Sequence, residues 1–176
     1  MVTDAARRTG VTRERLLDAA EELFAEHGVG GVTLRQIGRH AGQCNTSAMQ
    51  YHFGDRASLL RALFNRHLAV IDPRHHDFLD RCGAEPPSLD RLVEALVRPL
   101  AEHLRTASGR HFVEIQAQVF QRLNPDQIGM IDPTEHSGFD RWRLAVEAVL
   151  DPAALNAHIR FTVVQFAYVE LANWSR

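Results

Sequence analysis

Val32-Thr33-Leu34-Arg35-Gln36-Ile37-Gly38-Arg39-His40-Ala41-Gly42 decides how the first part of this chain folds. Thr33 and Gln36 stand three apart, the spacing of a capping box, in which each side chain satisfies an orphan backbone N–H at a helix start. Leu34, Ile37 and Ala41 recur at spacings of three and four and so share one helix face. Gly42 ends the helix because glycine takes the left-handed conformation at little cost. Upstream, Leu16, Leu17, Ala20, Leu23 and Phe24 mark an earlier helix, with Thr12 as its expected N-cap and Gly28 as its stop. Downstream, a short third helix is expected from Asn45 or Thr46 to about Phe53. Ala48, Met49 and either His52 or Phe53 form its buried side, while Thr46, Ser47, Gln50 and Tyr51 are hydrogen-bond formers facing out. Two short helices joined by a glycine-containing turn behind a stabilising first helix follow the helix-turn-helix plan. The major groove of B-DNA admits one α-helix and meets its N-terminal residues at the base edges.

The rest of the sequence also reads as helix, so the expected class is all-α. A helix-turn-helix head over 1–54 would sit on a helical effector-binding and dimerisation domain over 55–176. A fourth helix starts at Asp55 or Arg56, runs through Leu59, Leu60, Leu63, Phe64 and Leu68, and should break or restart at Asp72-Pro73. Further helices are expected over about 89–106 with a kink at Pro99, about 109–123, 138–150 and 152–174.

Charge distribution agrees with a DNA-binding head. The whole chain of 176 residues carries a net charge of -2. Residues 1–67 hold nine arginines against seven acids, and residues 68–176 hold eleven against fifteen. A basic head on an acidic body is the footprint of a nucleic-acid reader joined to something else. No apolar run reaches the roughly 18–20 residues of a membrane span, and the start lacks a secretion signal, so a cytoplasmic protein without membrane partners is expected. Two cysteines, Cys44 and Cys82, are too few for a disulfide framework.

The run from Leu16 to Gly28, the run from Val32 to Gly42 and the run from Tyr51 to Leu60 together resemble TetR-type transcriptional repressors over roughly residues 12–64. The turn Gln43-Cys44-Asn45 is one residue longer than the commonest form of that family. The resemblance implies a DNA-binding set made of Thr33, Arg35, Asn45, Thr46, Ser47, Gln50, Tyr51, His52 and Arg56. Thr33 and Arg35 would meet phosphate or the groove wall. Gln50 would read a base, since glutamine pairs bidentately with adenine. Tyr51 and His52 would touch phosphate or pack, and Arg56 would bind phosphate. It also implies a homodimeric repressor on a palindromic double-stranded operator, released when a small-molecule effector enters the body. An activator, or a ligand-independent DNA-binding protein, would present the same head.

The body offers weaker candidates. His103, Phe112, Ile115, Gln116, Phe120, Phe139 and Trp142 could line an effector cavity between bundle helices. His111 and Glu114 lie on the same stretch. Leu155, Ile159, Val163, Phe166 and Glu170 mark one face of the last helix, and Phe161, Val164, Tyr168 and Leu171 another. A helix apolar on two sides must bury both, so the first face is a natural dimer interface. These regulators usually close with two dimer-forming helices, and the sequence offers one. His75-His76-Asp77 is expected to be solvated or capping rather than a metal site, because adjacent helical histidines diverge. Cys44 is expected to pack rather than to sense oxidants. No nucleophile elbow, phosphate loop or metal spacing is present, so neither an enzyme nor a cofactor is expected.

Overall fold

The computed structural model describes residues 4–43, 47–82, 87–122, 137–150 and 157–175. All regular structure among them is helical: α1 (Asp4–His27), α2 (Leu34–His40), α3 (Ser47–His52), α4 (Arg56–Arg81), α5 (Leu89–His103), α6 (Ala107–Phe120), α7 (Gly138–Val149) and α8 (Ala157–Trp174). The chain forms two compact units, Met1–Phe64 and Asn65–Arg176. Their division falls inside α4.

In the first unit, Leu16, Leu17, Ala20 and Phe24 of α1 are buried together with Val32, Ile37, Met49, Phe53, Leu59 and Leu63. The capping box forms as the spacing predicts: Thr33 accepts from the Gln36 N–H, and the Gln36 side chain accepts from the Thr33 N–H. Gly28 and Gly42 hold φ values of 77° and 71°, the left-handed region that lets one helix stop and the next begin within a few residues. Gly38 is buried where α2 meets α3, and a Cβ there would lie 3.6 Å from Met49 Cγ.

α1 starts at Asp4, so Thr12 lies inside the helix and does not cap it. Side-chain capping is one way to start a helix, and here the helical run simply continues upstream of it. α4 continues through Pro73 without the expected break. Proline removes the hydrogen bond to the carbonyl four residues back. That carbonyl belongs to Ala69, an exposed residue. Ile71 and His75 on the opposite side are buried and hold the helix.

In the second unit, α5 buries Leu92, Ala95, Leu96, Pro99, Leu100 and His103, a stripe at spacings of three and four. Thr106 accepts from the Gly109 N–H, which starts α6 at Ala107 and ends α5 earlier than periodicity alone suggests. α6 packs on α8, and α5 packs on α7.

Candidate nucleic-acid interface

α3 has one anchored side and one open side. Met49 and Phe53 are buried at its base, which settles the choice between His52 and Phe53 in favour of the phenylalanine. Gln50 and Tyr51 are exposed, Tyr51 at 78%. His52 is half-buried, with its ring edge-on to Tyr51 at 5.1 Å. Burial pushes the His52 imidazole below its ordinary value, helped by the positive charge of Arg13, so it is neutral at pH 7 and adds no charge to this face. Asn45 and Thr46 lie outside the described residues, as do Cys44 and the Ser47 side chain; Ser47 itself opens α3.

Beside it, α2 exposes Arg35 on its first turn and Arg39 on its last. The Thr33 hydroxyl is committed to the capping box, donating to Gln36 Oε1 at 2.7 Å. Asp55 accepts from the Ser58 N–H at 2.7 Å and so caps α4. The backbone and side-chain hydrogen bonds from Ser58 hold its carboxyl below the ordinary carboxylate range.

Arg56, expected at a phosphate, is engaged within the head. Its guanidinium donates to the carbonyls of Val29 and Val32 and lies over the Phe24 ring at 5.9 Å. It therefore ties the start of α4 to the turn between α1 and α2. Composition and spacing cannot show this, because the acceptors are backbone atoms 27 and 24 residues away. Arg13 is a second residue that sequence reading misses; it sits over the Phe53 ring at 5.4 Å and braces α1 against α3.

In the second unit the expected cavity residues divide. His103 and His67 are both buried and hydrogen-bonded, Nε2 to Nδ1, at 2.8 Å. The His67 ring stacks on Phe112 at 4.5 Å, and Phe112 and Phe120 both meet Tyr168, at 6.2 and 5.3 Å. Burial pushes the Tyr168 phenol up, so it stays neutral. Ile115 and Gln116 are buried on the same helix as Phe112, while His111 and Glu114 are half-buried. Phe139 and Trp142 make a different contact: they stack on each other at 5.4 Å, and Trp142 Nε1 donates to the Leu92 carbonyl at 2.7 Å, joining α7 to α5.

His75 corrects an expectation. It is not solvated but 4% exposed, packed against Gly138 at the start of α7, where a Cβ would lie 2.5 Å from His75 Cβ. Asp72 accepts from the Gly138 N–H at 2.9 Å. Burial pushes the His75 imidazole below its ordinary value of 6.5, against the pull of the Asp72 carboxylate. The unfolded chain therefore binds the proton more readily than the folded one. Stability is complete above the unfolded value and declines as pH falls through it toward the lower folded value. We expect chemical denaturation midpoints to fall between pH 7 and about 5, and His75→Leu to flatten that slope. An unchanged slope in the variant would assign the acid sensitivity elsewhere.

On α8, Val164, Tyr168 and Ala172 face inward, whereas Val163 is 47% and Phe166 64% exposed, with Glu170 exposed on the same side. Leu155 and the Ile159 and Phe161 side chains lie outside the described residues. No helix among the described residues is long and apolar enough to cross a membrane.

A short polar helix anchored on its inner side and packed on a capped α2 defines a DNA-binding regulator of the helix-turn-helix class. Residues 16–63 match the family described as bacterial regulatory proteins, tetR family. The uncharacterized HTH-type transcriptional regulator TtgW of Pseudomonas putida is 31% identical over 146 residues, covering 81% of this chain and 96% of that protein. The HTH-type transcriptional regulator SrpR, also of Pseudomonas putida, is 29% identical over 163 residues, covering 90% of this chain and 68% of that protein. In fold, the chain is similar to the TetR family transcriptional regulator PfmR from Thermus thermophilus, with a TM-score of 0.57 at 20% identity over 93% of this chain and 86% of that one. The chain belongs to the TetR family of transcriptional regulators, and like its relatives it is a regulator rather than an enzyme.

Proposed function

We propose that the protein is a homodimeric repressor that binds a palindromic operator and leaves it when a small effector enters the second unit. The observation that carries the reading is α3: Gln50 and Tyr51 stand exposed on a helix fixed from beneath by Met49 and Phe53. Base readout needs such a rigid helix with polar side chains outward. Arg35 supplies phosphate contact from α2. Asn45, Thr46, Ser47, Thr33 and His52 complete the set we assign to DNA contact. A head held on DNA in this way blocks transcription by occupancy alone.

Gln50→Ala tests the base-reading role. It should weaken the best site by about 1–3 kcal/mol and relax one base position, leaving random DNA almost unaffected. Competition binding against single-base operator variants reads this directly. Equal loss on operator and random DNA would assign base reading to another residue.

Dimerisation is supported by the exposed stripe Val163, Phe166 and Glu170, which Trp174 continues at 78% exposure. Two heads must reach successive major grooves roughly 34–36 Å apart, which one chain alone cannot do. Phe166→Glu places like charges opposite each other across a symmetric interface. Sedimentation should then show monomer at concentrations where the parent chain is a dimer. A variant that stays dimeric would place the interface on another face. Effector release is carried by α4, one continuous helix that begins in the first unit and ends in the second. The effector must prefer the state that does not fit the operator.

A further inference from the structure

We propose that Arg13 of α1 and His52 of α3 together hold one backbone phosphate of the bound DNA, and that His52 takes up a proton as they do so. This rests on the DNA-binding reading above. It adds a contact from outside the two helices of the helix-turn-helix, and a dependence of binding on pH.

Arg13 and His52 come from different helices and meet at the end of α3. The Arg13 guanidinium lies over the Phe53 ring at 5.4 Å. The His52 ring lies 5.1 Å from that of Tyr51 and 6.2 Å from that of Phe53. Arg13 and His52 are half-buried, so each keeps a part open to solvent, and Tyr51 beside them is exposed. A recognition helix meets base edges with its N-terminal residues, which leaves its other end at the wall of the groove, where the phosphates are.

Positive charge at this corner is not balanced. Among the described residues, Arg13 is the charged side chain that acts on His52, and together with burial it holds the imidazole below its ordinary value. The neighbouring elements do not offset it. On α1, Glu14 accepts from Arg13 at 3.2 Å, but it is an exposed adjacent residue, and such pairs contribute little. On α2, Arg35 and Arg39 are exposed and add positive charge, and His40 is paired with Glu22 at 2.9 Å. At the start of α4, Asp55 accepts from the Ser58 N–H, and Arg56 donates to the Val29 and Val32 carbonyls. A phosphate entering beside Arg13 reverses the balance. Its negative charge favours the protonated imidazole, which then donates a charge-assisted hydrogen bond to it. Linkage is reciprocal: whatever factor the phosphate adds to proton affinity, the proton adds to DNA affinity.

Binding of the full-length protein to the DNA upstream of its own coding sequence and to random DNA, between pH 8 and pH 6 and at two salt concentrations, tests this. We expect both DNAs to be bound about tenfold more tightly at the lower pH, with the ratio between them unchanged. His52→Gln keeps a polar side chain that does not titrate, and should cut the gain to about twofold or less. Arg13→Met keeps an apolar stem on Phe53 and deletes the charge. It should weaken both DNAs alike and shallow the salt slope by about one for each head. A brace without a phosphate contact would instead lower Tm and leave the slope in place. The ring-proton NMR resonance of His52 in the parent protein is an independent readout: DNA should move its titration to higher pH. Binding flat in pH, a gain surviving whole in His52→Gln, a salt slope unchanged in Arg13→Met, or a His52 titration that DNA does not raise would each overturn the inference, and selective DNA binding would still stand. A parent protein that binds neither DNA would overturn this inference and the DNA-binding reading together.

Discussion

Gly109→Ala is expected to destabilise the second unit by about 3 kcal/mol, lowering its thermal transition by about 10 °C. Gly109 is the third residue of α6, and its N–H donates to Thr106 Oγ1 at 2.9 Å. A Cβ at this position would lie 1.9 Å from the His103 carbonyl oxygen and 2.9 Å from Thr106 Oγ1. The oxygen is backbone at the end of α5 and cannot rotate away, so α5 and α6 must separate. That movement also strains the His103–His67 pair. Gly10→Ala is the matching control: it lies in α1 with nothing within 4 Å of a built Cβ, and alanine there should stabilise by about 0.5–1 kcal/mol. Calorimetry on the two variants checks the pair. A Gly109→Ala protein as stable as the parent would mean that the α5–α6 corner opens to admit a methyl group at no cost.

Replacing Arg56 should have a comparable effect on the first unit. Hydrogen bonds to a charged group contribute about 1.5–3 kcal/mol each, and Arg56 makes two, to Val29 and Val32. Arg56→Ala removes both and should cost about 3 kcal/mol after partial hydration of the carbonyls. Arg56→Lys separates this role from phosphate binding. Lysine keeps the charge but lacks the planar fork that reaches two carbonyls at once. If Arg56 is a tie, lysine behaves nearly as alanine does, and DNA binding falls with the stability of the head. Lysine restoring both stability and binding would return Arg56 to the phosphate-contacting set.

Arg56 also marks where sequence reading stops. Its type and position suit a phosphate contact, and nothing local shows that its acceptors are two backbone carbonyls in a distant turn. The capping box at Thr33 and Gln36 is legible because both partners lie three residues apart, and Gly28 and Gly42 because their backbone conformation favours one residue type. The anchored face of α3 is legible for the same reason: helical spacing alone separates Met49 from Gln50. Pro73 misleads because a proline reads as a helix end unless the exposure of Ala69 is known. His75 reads as solvated beside His76 and Asp77, yet the start of α7, far along the chain at Gly138, covers it. In the second unit, His103 and Phe112 are found from local pattern, but His67 and Tyr168 complete that cluster from helices distant in sequence.

Sequence-selective DNA binding by the exposed face of α3 underlies the whole regulatory reading. It is checked by binding of the purified protein to the DNA immediately upstream of its own coding sequence and to random DNA, each at two salt concentrations. Phosphate contacts weaken on both DNAs as salt rises, whereas base readout persists as a ratio between them. We expect a dimer that prefers the upstream DNA at both concentrations, with the preference lost in Gln50→Ala. Weak binding that is equal on the two DNAs and disappears with salt would show that α3 reads no bases there.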